Sequence, residues 1–174
     1  MSWADFYRRR DAIDHVLTYA RRHPAVRMPF DELHEVPALF DSKDDLALAL
    51  QYKWSRLLTG SLTVALADAE NAQDADYVDA VATAWRTTAR QHPELRRLLD
   101  GHADTDADDG FRAALRTEQR TLAHAAGLAE AGEPADATAR IGAAFLTLIR
   151  GTSGLPTGHA QPVELMFHRL VPSA

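Results

Sequence analysis

The chain has no cysteine among its 174 residues. That absence removes disulfides, zinc–thiolate sites, iron–sulfur clusters and cysteine nucleophiles together. It is the composition expected in a reducing compartment. No apolar run approaches the roughly 18 residues that a membrane span needs. The opening residues, Met1-Ser2-Trp3-Ala4-Asp5, lack the basic start and apolar core of a secretory signal. These two absences predict a cytoplasmic protein with no membrane partner. Positive charge is not in excess either. The formal net charge is −6 and the pI about 5.7, so no bulk attraction to nucleic acid is expected. No alternating strand pattern and no internal repeat is visible.

What is present is ordinary globular material, 46% hydrophobic and 25% charged, in a length that suits one domain and needs no covalent staple. Helical periodicity dominates it. Phe6, Ile13, Val16, Leu17 and Ala20 share one side of a helix over about 3–22, which His23-Pro24 closes. Residues 24–41 are interrupted by Pro24, Pro29 and Pro37. A short helix is predicted at Phe30–Val36, because proline suits a first helical turn. Ser42 is the expected N-cap of a long helix, with Asp44 and Asp45 at its positive end. Its stripe runs Leu46, Ala49, Leu50, Trp54, Leu57, Leu58, Ser61, Leu62, Ala65 and Leu66. Gly60 lies inside it and suggests close approach of another helix. Further helices are predicted at about 74–91, from Pro93, at about 109–126 with Gly127 as C-terminal cap, from Glu133-Pro134 to Arg150, and from Pro162 to Val171. Tyr77 and Val78 are expected to face inward. Gly142, Ala143 and Ala144 are small enough for tight helix packing. The fold class is therefore all-α, with about eight helices.

The order of these pieces resembles the TetR family of bacterial transcriptional regulators. An amphipathic first helix and a short second one lead into Phe40-Asp41-Ser42-Lys43-Asp44-Asp45-Leu46. Phe40, Ser42, Lys43 and Leu46 match the family's passage from its DNA-binding region into the long connecting helix. His92-Pro93-Glu94-Leu95-Arg96 and Ala143-Ala144-Phe145 are similar to its C-terminal half. The resemblance implies a degenerate N-terminal region, 1–41, and a ligand-binding and dimerisation body, 42–174. It also implies a homodimer, whose seam is expected on the last two long helices with Ile141, Phe145, Leu148, Val163, Met166 and Leu170.

One departure outweighs the matches. The family's recognition helix enters the major groove, but here Val36 runs through Pro37-Ala38-Leu39 directly to Phe40. There is no room for that helix. Asp31, Glu32, Glu35, Asp41, Asp44 and Asp45 face Lys43 alone in this stretch, and acidic side chains repel phosphate. DNA binding is therefore doubtful, and no DNA contact carries over to any residue.

Other motifs fail on spacing. A calcium loop starting at Asp104 needs glycine sixth and glutamate twelfth, where Asp109 and Leu115 stand. Gly151-Thr152-Ser153-Gly154 lacks the glycine two residues after the serine that a nucleophile elbow requires. No histidine pair has zinc spacing. No catalytic residue, metal or cofactor is predicted. The basic cluster Arg8-Arg9-Arg10, with Arg21, Arg22 and Arg27, is a candidate for phosphate contact, but the favoured expectation is a solvated helix face paired in part with Asp5, Asp11 and Asp14. Trp54, Trp85, Phe111, Glu118 and His124 are the candidate lining of a pocket for a small apolar ligand, against a reading as plain core. The functional expectation is a regulatory protein without DNA binding, acting through a ligand or protein partner. A working regulator with a shortened reading head and an unrelated helical enzyme are the alternatives.

Overall fold

The computed structural model describes residues 3–72, 74–105 and 107–151. Among them are six α-helices and no strand. They are α1 (Trp3–Arg22), α2 (Lys43–Glu70), α3 (Tyr77–Gln91), α4 (Pro93–Ala103), α5 (Asp109–Ala125) and α6 (Ala135–Gly151). The all-α class is thus observed. The helix predicted from Pro162 to Val171 lies outside the described residues, as does the Ser2 cap.

Local chemistry accounts for most helix ends. The Ser42 hydroxyl accepts from the Asp45 N–H at 3.1 Å, and Asp76 and Asp108 cap α3 and α5 in the same way. Each satisfies one of the free N–H groups of a first turn. Pro93 opens α4. Gly127 follows the end of α5 with φ +67. Its N–H donates to the His124 carbonyl at 3.0 Å, and the Leu128 N–H to the Ala123 carbonyl at 2.9 Å. This is the paired closure that favours glycine in the left-handed region.

Two expectations fail here. Residues 30–36 are not helical. They form bends and turns, closed by Val36 N–H to Leu33 carbonyl at 2.9 Å and Phe40 N–H to Val36 carbonyl at 2.9 Å. Proline at both ends leaves too few residues to nucleate a helix, and the burial of Val36 and Phe40 holds the segment as turns. Gly60, moreover, meets nothing: a Cβ built there has no atom within 4 Å. The close approach occurs at Gly142 instead, where a Cβ would lie 1.9 Å from the Gln119 carbonyl oxygen. The backbones of α5 and α6 touch at that point.

The long α2 runs against α3, α4 and α5. Its inner face buries Leu46, Leu50, Trp54, Leu58 and Leu62, while Ala49, Leu57, Ala65 and Leu66 of the predicted stripe are only partly buried against the same core. From α1 come Ala12, Val16 and Ala20, from α4 Leu95, Leu98 and Leu99, and from α5 Phe111 and Leu122. Met28, Val36 and Phe40 of the α1–α2 connection enter the same core. Phe6, Tyr77 and Val78 do not; they are 49%, 37% and 40% exposed. They occupy helix ends, where a position on the apolar side overhangs its neighbour.

Polar ties fasten α1 to the rest. The Arg21 side chain donates to Glu94 at 3.0 Å. Arg97 caps two free carbonyls, of Val26 at 2.7 Å and Ala20 at 2.9 Å. Glu94 sits in the first turn of α4, where its own backbone N–H holds its carboxyl below the ordinary range; burial opposes this, and the Arg21 bond and charge assist it. A depressed carboxylate contributes stability above its unfolded pKa and loses it as pH falls through the folded value. Glu94→Gln should therefore lower stability by about 0.5–1 kcal/mol at pH 7. That difference should disappear in denaturant titrations below the ordinary carboxylate range. A gap that is equal at both pH values would assign the effect to shape rather than charge.

Candidate functional site

Glu118 lies on the inner face of α5 between Phe111 and Leu122 and is only 5% exposed. A carboxylate there must be bonded on every side or it destabilises the fold. Four donors meet it. On Oε1 it accepts from the Trp54 indole at 3.0 Å, the Trp85 indole at 3.3 Å and Arg96 Nη1 at 3.4 Å. On Oε2 it accepts from Gln51 Nε2 at 2.7 Å. Helices α2, α3 and α4 thus converge on one side chain of α5.

The charge of Glu118 is balanced within the core. Arg96, 6% exposed, also donates to Asp100 Oδ1 from Nε at 3.1 Å and Nη2 at 2.8 Å. Its guanidinium lies 4.9 Å from the Trp54 ring centroid. Arg150 of α6 donates to the same Asp100 oxygen at 2.8 Å and sits over the Trp85 ring. Two guanidinium groups and two carboxylates therefore alternate from α6 through α4 to α5. The two indole rings meet edge to face, with centroids 5.9 Å apart, a favoured aromatic geometry. The Gln51 Oε1 is buried without a partner among the described residues.

The proposed pocket lining is brought together only in part. Trp54, Trp85 and Glu118 meet directly, but they bond to one another. Phe111 is fully buried and packs edge-on against His102 at 4.9 Å. His102 in turn bonds Asp44 at 2.9 Å. His124 is exposed on the far side of α5 and joins none of them. The aromatic pair is thus the setting of a polar core knot. Gln51 and Arg96 escaped notice in the sequence. The signal was a carboxylate at the stripe position between Leu115 and Leu122, and an arginine beside Leu95, Leu98 and Leu99. A charged residue on an apolar face calls for buried donors.

The open grooves lie elsewhere. One, of about 640 Å³, runs between α3 and α6. Val78, Ala82, Ile141, Phe145, Leu148 and Ile149 form its apolar surface, with Asp79 and Arg86 among its polar lining. Leu148 is 67% exposed, whereas Phe145 is only 7% exposed and packs mainly within the chain. The remaining seam candidates, Val163, Met166 and Leu170, lie outside the described residues.

The chain matches no family model, no curated protein and no solved structure. Its function must be argued from its own residues. Among those described, no group of three or more histidine, aspartate or glutamate side chains could hold a metal ion. Among the described residues no helix is long and apolar enough to cross a membrane.

The N-terminal basic cluster is paired largely within the fold. Arg8 bonds Asp5. Arg9 bonds Asp45 at 2.9 Å and the Leu39 carbonyl at 2.9 Å, and lies 4.3 Å from the Phe40 ring centroid. Arg10 contacts Asp11 at 3.3 Å. Asp14 is taken by Lys53 at 2.9 Å. Lys43 bonds Asp31 at 3.1 Å, which pairs the one lysine or arginine between residues 31 and 45.

Proposed function

We propose that the protein is a TetR-like regulatory body that does not read DNA and works through association of its α3–α6 face. The observation that carries this reading is the α1–α2 connection. Residues 23–42 contain turns only, and their hydrophobic side chains Met28, Val36 and Phe40 are spent on the core. A segment without a helix has nothing to lay in a major groove. Its surface carries Asp31, Glu32 and Asp41 against Arg27, with Lys43 already paired. Meanwhile α6 turns Leu148 outward beside Val78, over an apolar groove. Exposed apolar surface of this kind suits a self-complementary two-fold contact.

Two measurements test this. Titration with the DNA flanking the protein's own gene should show no specific complex at low or at physiological salt. Specific binding that weakens steeply with salt would make the protein a working regulator instead. Sedimentation should show a dimer that Leu148→Glu shifts to monomer by at least tenfold in dissociation constant, which is about 1.4 kcal/mol. Leu148 is the better probe than Phe145, because a glutamate at the buried Phe145 would disturb the fold itself. A dimer unaffected by Leu148→Glu moves the seam off α6.

A further inference from the structure

The groove between α1 and α2 has a different chemistry from the rest of this acidic molecule. Its volume is about 470 Å³. Phe6, Ile13, Ala49, Tyr52 and Leu57 supply apolar surface, and every charged residue lining it is a cation: Arg9, Arg10, Lys53 and Arg56. On a chain of net charge −6, a lining with four cations and no anion is a concentrated positive field over an apolar floor.

These cations are not equally engaged. Arg9 is held by Asp45 and Lys53 by Asp14. Arg10 has as its one carboxylate partner among the described residues the neighbouring Asp11, at 3.3 Å with both side chains more than half exposed, and lies 5.0 Å from the Tyr7 ring centroid; such an exposed pair exchanges readily. Arg56 is exposed and has no carboxylate within salt-bridge distance among the described residues. Apolar surface is also on offer. Tyr52 is 65% exposed and Phe6 49%. Trp3 and Tyr7 extend it, with ring centroids 6.3 and 5.7 Å from Phe6.

We infer that this groove binds a small anionic amphiphile, a medium-chain carboxylate whose tail lies on Phe6, Ile13, Ala49 and Leu57 and whose head meets Arg56. Size selects this class over an amphipathic peptide. The lining spans residues 6–13 of α1 and 49–57 of α2, about 10–12 Å along each helix axis. That covers most of an extended medium-chain tail, whose end would project past the lining, and is less than two and a half helical turns. A cavity of this volume, mainly apolar with a few convergent charges, is typical of small-molecule sites. A guanidinium adds paired donors matched to a carboxylate. The site stands on the groove's chemistry and not on the TetR-like reading.

The test is calorimetric titration of the full chain with dodecanoate below its micelle concentration. Saturable one-to-one binding is expected, together with at least tenfold weaker binding of dodecyltrimethylammonium, which has the same tail and the opposite charge. Arg56→Glu should weaken dodecanoate at least tenfold while circular dichroism stays unchanged, and Arg56→Lys, which keeps the charge and loses the paired donors, should bind more weakly than the unaltered chain but more tightly than Arg56→Glu. Equal binding of the two amphiphiles, or an Arg56→Glu variant that binds normally, overturns the inference. Binding to phosphatidylglycerol vesicles without binding to monomeric dodecanoate would also overturn it and hand the patch to a membrane surface. None of these readouts depends on DNA binding or dimerisation.

Discussion

Replacing Glu118 with alanine should cost about 3–5 kcal/mol of folding stability, the usual consequence of breaking a buried ion pair from one side. The loss follows from what stays behind. Two indole N–H groups, the Gln51 amide and one arm of Arg96 all converge on the Glu118 carboxylate. Without it each becomes a buried donor with no acceptor. Arg96 would keep Asp100, at 2.8 Å, so its charge would remain compensated and the loss should stay within that range. Folded domains commonly hold only about 5–15 kcal/mol in total, so this single change would bring the protein near its limit. Glu118→Gln should cost less, about 1–3 kcal/mol, because the amide keeps the shape and one acceptor but turns a donor toward other donors. Urea denaturation followed by tryptophan fluorescence is the suitable measurement. Trp3 is 78% exposed, so the change on unfolding reports mainly on Trp54 and Trp85 at the knot. If Glu118→Ala loses less than about 1 kcal/mol, the knot is not what joins α2, α3, α4 and α5.

Two glycine-to-alanine changes should move stability in opposite directions. At Gly142 the new methyl group would lie 1.9 Å from the Gln119 carbonyl oxygen and 2.4 Å from its carbon. Both are backbone atoms and cannot swing aside. The two helices must separate, and overpacking of this kind costs about 1–3 kcal/mol or more. The helix-propensity gain of alanine over glycine, about 1 kcal/mol, offsets only part of that. A net loss of about 2 kcal/mol is expected. Gly60 supplies the control. It is also inside a helix, but a Cβ there meets nothing within 4 Å. Gly60→Ala should stabilise by up to about 1 kcal/mol through propensity and a less disordered unfolded chain. Midpoints of chemical denaturation for both variants would decide the matter. A Gly142→Ala variant as stable as Gly60→Ala would mean that α5 and α6 do not touch backbone to backbone.

These sites also show what kind of information each level carries. Helices α1 to α6 were legible because each has a periodic apolar face and most have local start or stop chemistry: Ser42, Pro93, Gly127 and Pro134 do their work within a few residues. The misreading at 30–36 came from a helix signal too short to stand against the burial of Val36 and Phe40. Tyr77 and Val78 fell on the apolar side of α3 by spacing, yet nothing packs over the end of that helix deeply enough to bury them. The candidate pocket was half legible. Trp54, Trp85 and Glu118 do come together, but spacing cannot show whether converging polar groups leave room for a ligand or satisfy one another.

By itself the sequence determined the all-α class, the Ser42 and Gly127 caps, most of the α2 core stripe and a stretch between Val36 and Phe40 too short for another helix. All depend on interactions within a few turns of chain, which residue order encodes directly. Only the tertiary structure decided that Glu118 is a knot of four helices, that Gly142 and not Gly60 is the close crossing, and that the cations of α1 and α2 line one apolar groove. Those facts join residues 22 to 67 positions apart, and which distant faces meet depends on how the helices dock, a choice that no local pattern contains.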